Sequence, residues 1–199
     1  IPILRAVSDS LQANTITSVL GIINGTTNYI LTKMCDEGGD FEEVLREAQR
    51  LGYAEANPTN DVDGFDAMYK LSILASMAFH VRLPIDHIYR EGIRGISKTD
   101  IACAKELGYE VKLLAIAKRE GELVQMRVHP TMVKTSHPLA NIKDSFNAIL
   151  LHGSAVDDVM FYGRGAGDFP TASAILSDVI CAAKTAEHKY MTFMNDEVR

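Results

Sequence analysis

Between Gly52 and Lys70 the chain carries four carboxylates, Glu55, Asp61, Asp63 and Asp66, within twelve residues. It then enters a run with almost no polar side: Leu71, Ser72, Ile73, Leu74, Ala75, Ser76, Met77, Ala78 and Phe79. The run reads as a buried helix over about residues 64–80. A helix that is apolar nearly all round must be wrapped by other elements, so the block demands a layered globular fold. It also constrains Lys70, which follows Asp66 by one helical turn on the side of Ile73, Leu74 and Met77. With little water in reach, Lys70 is expected to pair with a carboxylate or to give up its charge.

With 199 residues, 47% of them hydrophobic, the chain can bury one sizeable core. No stretch approaches the roughly 20 apolar residues of a membrane-spanning helix, and residues 1–5 lack the features of a secretory signal. The expected setting is cytoplasmic. Cys35, Cys103 and Cys181 are odd in number and far apart, which predicts reduced thiols and no disulfide framework. A net charge of −6 with dispersed lysines gives no basic face for nucleic acid, so a small-molecule partner is expected. The opening Ile1-Pro2-Ile3-Leu4-Arg5 has no initiator methionine and reads as the interior of something longer.

Along the chain, Pro2 with Leu4, Val7 and Leu11 predicts a first helix. The β-branched run 16–23 predicts a strand that breaks at Asn24-Gly25-Thr26-Thr27-Asn28 into a helix ending at Gly38-Gly39. Residues 41–51 form a second amphipathic helix, and an acidic loop over 52–63 precedes the apolar helix. Residues 99–107 read as a helix closed by Gly108. Two hairpins follow, 109–118 with 123–133 and 146–151 with 156–162. A last helix is expected from Pro170 to about residue 186. Antiparallel pairs flanked by helices imply an α+β fold, a mostly antiparallel sheet with helices packed on one face.

Three segments have the residue types for chemistry. In the acidic block, Asp63 suits the N-cap of the apolar helix, and Asp66 with Lys70 suits a surface i,i+4 pair. Capping leaves Glu55 and Asp61 unused, however, and an acidic pocket facing a lysine would bind a cationic ammonium and move a proton. At 24–28, glycine and the first free amides of a helix favour an anion or polar head group, unless the turn is plain and Thr26 or Thr27 merely caps it. Gly163, Gly165 and Gly167 precede a helix without matching the dinucleotide fingerprint, since Asp168 stands where its third glycine belongs. The histidines show no metal-binding spacing. A divalent metal at Asp61, Asp63 and Asp66 lacks the full ligand pattern of a calcium loop.

Taken together, residues 21–31, the block from Gly52 through Glu55, Asp61 and Asp66 to Lys70, and residues 163–174 resemble the homoserine dehydrogenase family across essentially the whole chain. The resemblance implies the substrate-binding and dimerisation domain of a homodimeric, NAD- or NADP-dependent enzyme that interconverts L-homoserine and L-aspartate 4-semialdehyde, on the route to threonine, methionine and isoleucine. It implies Lys70 as the proton-transfer residue. Glu55 and Asp66 would bind homoserine, with Asp61, Tyr53, Gly25 and Thr26 in the same pocket. Gly52, Gly165 and Gly167 would touch the nicotinamide cofactor, and the backbone of Ile1 would be the last ligand of a sodium ion. It further implies a nucleotide-binding domain upstream, toward which residues from about 163 to 199 return, and an inactive fragment in its absence. Where the family often writes Glu-Pro-Asp-Pro, this chain has Glu55-Ala56-Asn57-Pro58, with one rigid proline and one charge fewer. The competing expectation is a non-catalytic amino-acid-binding or dimerisation module, in which the acidic loop is only a clamp.

Overall fold

The computed structural model describes residues 1–184. Among them runs a six-stranded sheet with strand order β2-β4-β3-β1-β5-β6. Its strands are β1 (Ile16–Ile22), β2 (Tyr89–Arg90), β3 (Tyr109–Glu120), β4 (Leu123–Lys134), β5 (Phe146–Gly153) and β6 (Asp157–Arg164). Both expected hairpins form, β3 with β4 and β5 with β6, and β1 lies antiparallel between them. The only parallel pairing here is the two-residue β2 along β4. The fold is α+β, as expected.

Two-residue periodicity gives each strand two faces. Val19, Leu113, Ala115, Ala117, Ile149 and Leu151 face the helices and merge with Ile30, Met34, Leu71, Leu74, Ala75 and Ala78 into the main core. The alternate positions Leu20, Ile22, Leu114, Ile116, Ala148 and Leu150 form a second, smaller apolar cluster on the opposite face, joined by Leu139 and Ile142.

The helices are α1 (Ile3–Arg5), which continues as a π turn over Ala6–Ser10, then α2 (Gly25–Glu37), α3 (Phe41–Arg50), α4 (Thr59–Val62), α5 (Phe65–Phe79), α6 (Lys98–Glu106) and α7 (Asp168–Lys184). Their ends follow local rules. Gly38 closes α2 in the left-handed region at φ 69°, and Asp40 with Glu43 makes a reciprocal capping box for α3. The expected end of α7 near residue 186 lies outside the described residues.

Several expectations are corrected. The N-cap of α2 is Asn24, whose side chain accepts from the Thr27 amide, rather than Thr26 or Thr27. Asp63 does not cap α5. That position belongs to Gly64 at φ 80° with no side-chain cap, because α4, unseen in the acidic loop, turns the chain sharply there. Asp63 instead takes the Arg94 guanidinium at 2.6 Å, and its carbonyl accepts from Arg90. Finally, α5 is not buried all round: Tyr69 and Ile73 are 45% and 56% exposed. The Lys70 side chain is 51% exposed, so water reaches it.

Candidate active site

Where β1 gives way to α2, the chain turns at Asn24 and brings the first turn of α2 against α4 and α5. Asn24 is 5% exposed and fully engaged. Its Oδ1 accepts the Thr27 amide at 2.9 Å and the Thr27 hydroxyl at 3.0 Å. Its Nδ2 donates to Asp61 Oδ1 at 2.7 Å and to Asp66 Oδ2 at 2.9 Å. One amide nitrogen thus spends both protons holding two carboxylates from two helices side by side. The second oxygen of each carboxylate has no hydrogen-bond partner among the described residues.

Lys70, one turn along α5, donates to Asp66 Oδ2 at 2.6 Å and to the Ile23 carbonyl at 3.3 Å. The two acceptors leave one position on Nζ for a third. A cavity of about 430 Å³ opens over this group, lined by Gly25 and Thr26 at the start of α2, by Gly52 and Tyr53 after α3, and by the segment 164–167 after β6. Asn24, Asp61, Asp66, Lys70, Ser145 and Asn147 complete it.

The pocket therefore gathers Lys70, Asp61, Asp66, Tyr53, Gly25, Thr26, Gly52, Gly165 and Gly167 from five separate parts of the chain. Each keeps its own local task. Tyr53 stacks on Tyr29 with ring centroids 4.5 Å apart. The Thr26 hydroxyl donates to the Tyr53 carbonyl at 2.7 Å, so it holds the 52–55 segment against α2. Glu55 does not line the cavity. It is exposed, and its backbone carbonyl takes the Gln49 side chain at 3.0 Å.

Five lining residues were not singled out as site residues by the sequence reading: Asn24, Ser145, Asn147, Arg164 and Ala166. For Asn24 a signal existed, since asparagine directly before a glycine-started helix is a favoured cap. Asn147 gave none, because it reaches the pocket only through the β5–β6 pairing, whereas Arg164 stands inside the glycine motif without having been given a role. Arg164 lies over the Phe146 ring at 4.7 Å.

A second cleft, about 220 Å³ and mostly apolar, adjoins the first and shares Lys70, Asn147 and Gly165 with it. Ile1 lines this cleft, its ammonium donating to the Arg164 carbonyl at 3.1 Å. The Ile1 carbonyl already accepts the Ile3 amide at 2.9 Å, and one carbonyl does not make a sodium site. No group of three or more His, Cys, Asp or Glu among the described residues is placed to hold a metal. No described helix is long and apolar enough to cross a membrane.

The glycine segment suits close approach of a flat ligand. A Cβ on Gly165 would stand 1.9 Å from Asn147 Nδ2, and Gly167 has φ 118°, which disfavours any side chain there. Asn147 Oδ1 is buried without a hydrogen-bond partner. The bare backbone and the apolar wall beside it leave room for a flat ring.

A sequence model of the family described as homoserine dehydrogenase matches residues 2–180. The homoserine dehydrogenase of a Synechocystis strain is 53% identical over 184 residues, covering 90% of this chain and 42% of that protein. A crystal structure of a homoserine dehydrogenase from Thiobacillus denitrificans superposes with a TM-score of 0.91 at 43% identity, over all of this chain and 48% of the other. A hyperthermophilic archaeal homoserine dehydrogenase solved in complex with NADPH gives a TM-score of 0.78 at 29% identity, over 92% of this chain and 52% of the other. The chain spans less than half the length of the curated relatives described. On this match in sequence and in fold, it belongs to the homoserine dehydrogenase family.

Proposed function

We propose that this chain supplies the substrate-binding and dimerisation part of an NAD- or NADP-dependent homoserine dehydrogenase, which interconverts L-homoserine and L-aspartate 4-semialdehyde for threonine, methionine and isoleucine synthesis. The observation that carries the reading is the single Asn24 amide that aligns Asp61 and Asp66 beside Lys70 at the mouth of α2. An amino-acid zwitterion needs a cationic and an anionic subsite a few ångströms apart, and this corner has both. The unpartnered oxygens of Asp61 and Asp66 suit the ammonium, and the start of α2 at Gly25 and Thr26 suits the carboxylate. Glu55 would join the ammonium from the rim of the pocket.

Lys70 handles the proton. As an ammonium it donates its third proton to the aldehyde oxygen in the reductive direction; as an amine it takes the proton of the alcohol in the oxidative one. Its bonds to Asp66 and the Ile23 carbonyl hold Nζ in place for either transfer. Gly52, Gly165, Gly167 and Asn147 would lie against the cofactor, which when bound supplies the hydride acceptor or donor. Its phosphates and the remaining sodium ligands would be held by a further domain of the complete enzyme. On α7, Phe169, Ile175, Leu176 and Val179 are all exposed and would pack against that domain.

A homodimer is supported by the open sheet face, where Leu20 and Leu150 continue outward to Met160 and Tyr162, 40% and 55% exposed. The test is steady-state turnover of homoserine by the complete enzyme, with and without Lys70→Ala, beside the 199-residue chain alone. The complete enzyme should turn over and the isolated chain should not. Turnover by the isolated chain, or a Lys70→Ala effect confined to KM, would overturn the assignment.

A further inference from the structure

Asn24 is the first of four polar residues spaced four apart at α2, the others being Asn28, Thr32 and Asp36. That spacing sets them along one side of the helix. Asn24 holds the two carboxylates, whereas the other three bind a single segment, residues 142–146, which leads into β5. Asn28 and Thr32 are 2% and 3% exposed, so their bonds are made inside the protein. The Asn28 amide shares its two protons among the carbonyls of Ile142 at 3.2 Å, Asp144 at 2.9 Å and Phe146 at 3.1 Å. The Thr32 hydroxyl accepts the Asp144 amide at 3.1 Å, and Lys143 pairs with Asp36 at 2.6 Å on the surface. From β3, Lys112 donates to the Ile142 carbonyl and to Asn28 Oδ1, which leaves the Asn28 NH₂ facing the segment.

Residues 142–145 lie outside the sheet, and Asp144 turns through the left-handed region at φ 55°, which few residues with a side chain adopt. With no strand beside it, the segment takes its backbone partners from α2. Ser145 is thereby fixed. Its carbonyl oxygen would lie 2.9 Å from a Cβ on Gly25, so the segment rests directly on the first residue of α2. Ser145 also lines the polar cavity, together with Gly25, Thr26 and Lys70. With the amino-acid carboxylate at Gly25 and Thr26 and the reacting oxygen at Lys70, a wall at the Gly25 end limits how long a substrate fits between them.

We propose that Asn28 and Thr32 are positioning residues that select substrate length: by tying residues 142–146 to α2 they hold the Ser145 wall at the carboxylate end of the pocket, and so favour a four-carbon hydroxy amino acid over its five-carbon homologue. This rests on the dehydrogenase reading and adds to it the residues that set chain length.

The test measures kcat/KM of the complete enzyme for L-homoserine and for L-2-amino-5-hydroxypentanoate, one methylene longer, together with thermal midpoints. Wild type is compared with Thr32→Val, which keeps the shape and drops the acceptor, with Asn28→Asp, which keeps the shape and drops the donor, and with Thr32→Ser, which keeps the hydroxyl. Wild type should prefer homoserine by about 10- to 200-fold, the span that one methylene commands. Thr32→Val and Asn28→Asp should each narrow that preference by about fivefold or more, mainly through KM for homoserine, while KM for the dinucleotide stays within about twofold. Thr32→Ser should keep the wild-type ratio. Leu83→Ala, at a core position 2% exposed beyond the far end of α5, should lower the midpoint and leave the ratio alone. A wild type that takes both substrates equally well overturns the proposal without any variant, so poor folding of Asn28→Asp does not protect it. An unchanged ratio in Thr32→Val, or an equal fall in Leu83→Ala, overturns it as well. A complete enzyme that oxidises neither substrate refutes the dehydrogenase reading itself, a different result from oxidation without preference.

Discussion

Lys70 Nζ stands 2.6 Å from Asp66 Oδ2, one turn apart on the same face of α5. At about half exposure such a pair adds only a few tenths of a kcal/mol to the helix, so its value lies in placing the nitrogen rather than in stability. Lys70→Ala in the complete enzyme should lower kcat by about two to four orders of magnitude while moving the thermal midpoint little. Lys70→Arg should fare no better, because a guanidinium holds its proton. Steady-state kinetics with thermal scans of both variants decide this.

Asn24 has a double role, and its loss should show twice. Asn24→Ala removes the cap of α2, at a cost of about 0.5–2 kcal/mol, and leaves Asp61 and Asp66 facing each other without the bridging amide. The expected outcome is a lower thermal midpoint together with a raised KM for homoserine. Asn24→Ser, which can still cap, should recover the first and not the second.

Gly92 lies under the turn that joins α4 to α5. A Cβ there would fall 2.4 Å from the Val62 carbonyl oxygen and 2.5 Å from Asp63 Cα, both backbone atoms that cannot rotate away. Gly92→Ala should therefore destabilise by roughly 1–3 kcal/mol and raise KM by shifting Asp61. Gly95→Ala, where a Cβ meets nothing within 4 Å, should leave both unchanged. Denaturant unfolding of the pair provides the comparison.

Lys112 is 1% exposed, its Nζ 2.6 Å from the Ile142 carbonyl and 3.4 Å from Asn28 Oδ1. Burial pulls its pKa down to about 8, against a partial upward pull from Glu110. In the unfolded chain the amine keeps its ordinary value near 10.5. Between these values the unfolded state binds the extra proton, so stability rises with pH from about 8 to 10.5, by on the order of 3 kcal/mol at most. Below pH 8 both states are charged and the full cost of burial remains. Lys112→Met should flatten that rise relative to wild type, measured as unfolding free energy at pH 7 and pH 10.

The element pattern was legible because local rules govern it. The β-branched run before Asn24, the amphipathic period of α3, the glycine after α2 and the two hairpins each follow from neighbours in sequence. The reading failed where distant backbone decides. Asp63 looks like a cap, but α4 and the packing of Gly92 turn the chain so that Gly64 takes that position. Lys70 looks sealed in an apolar helix, yet α5 leaves one side open beside Ile73.

The same division holds at the site. Sequence by itself determined the chemical inventory: a lysine one turn beyond an aspartate, an acidic loop, and glycines where a flat ligand could approach, all in an order that resembles one family. Tertiary structure alone decided the arrangement. It put Asn24 between Asp61 and Asp66, left Glu55 at the rim, and set Asn147 between a polar pocket and an apolar slot. The physical reason is that hydrogen bonds across the α2, α4 and α5 contacts, and pairing across β5 and β6, join residues tens of positions apart, where no helical or strand period connects them.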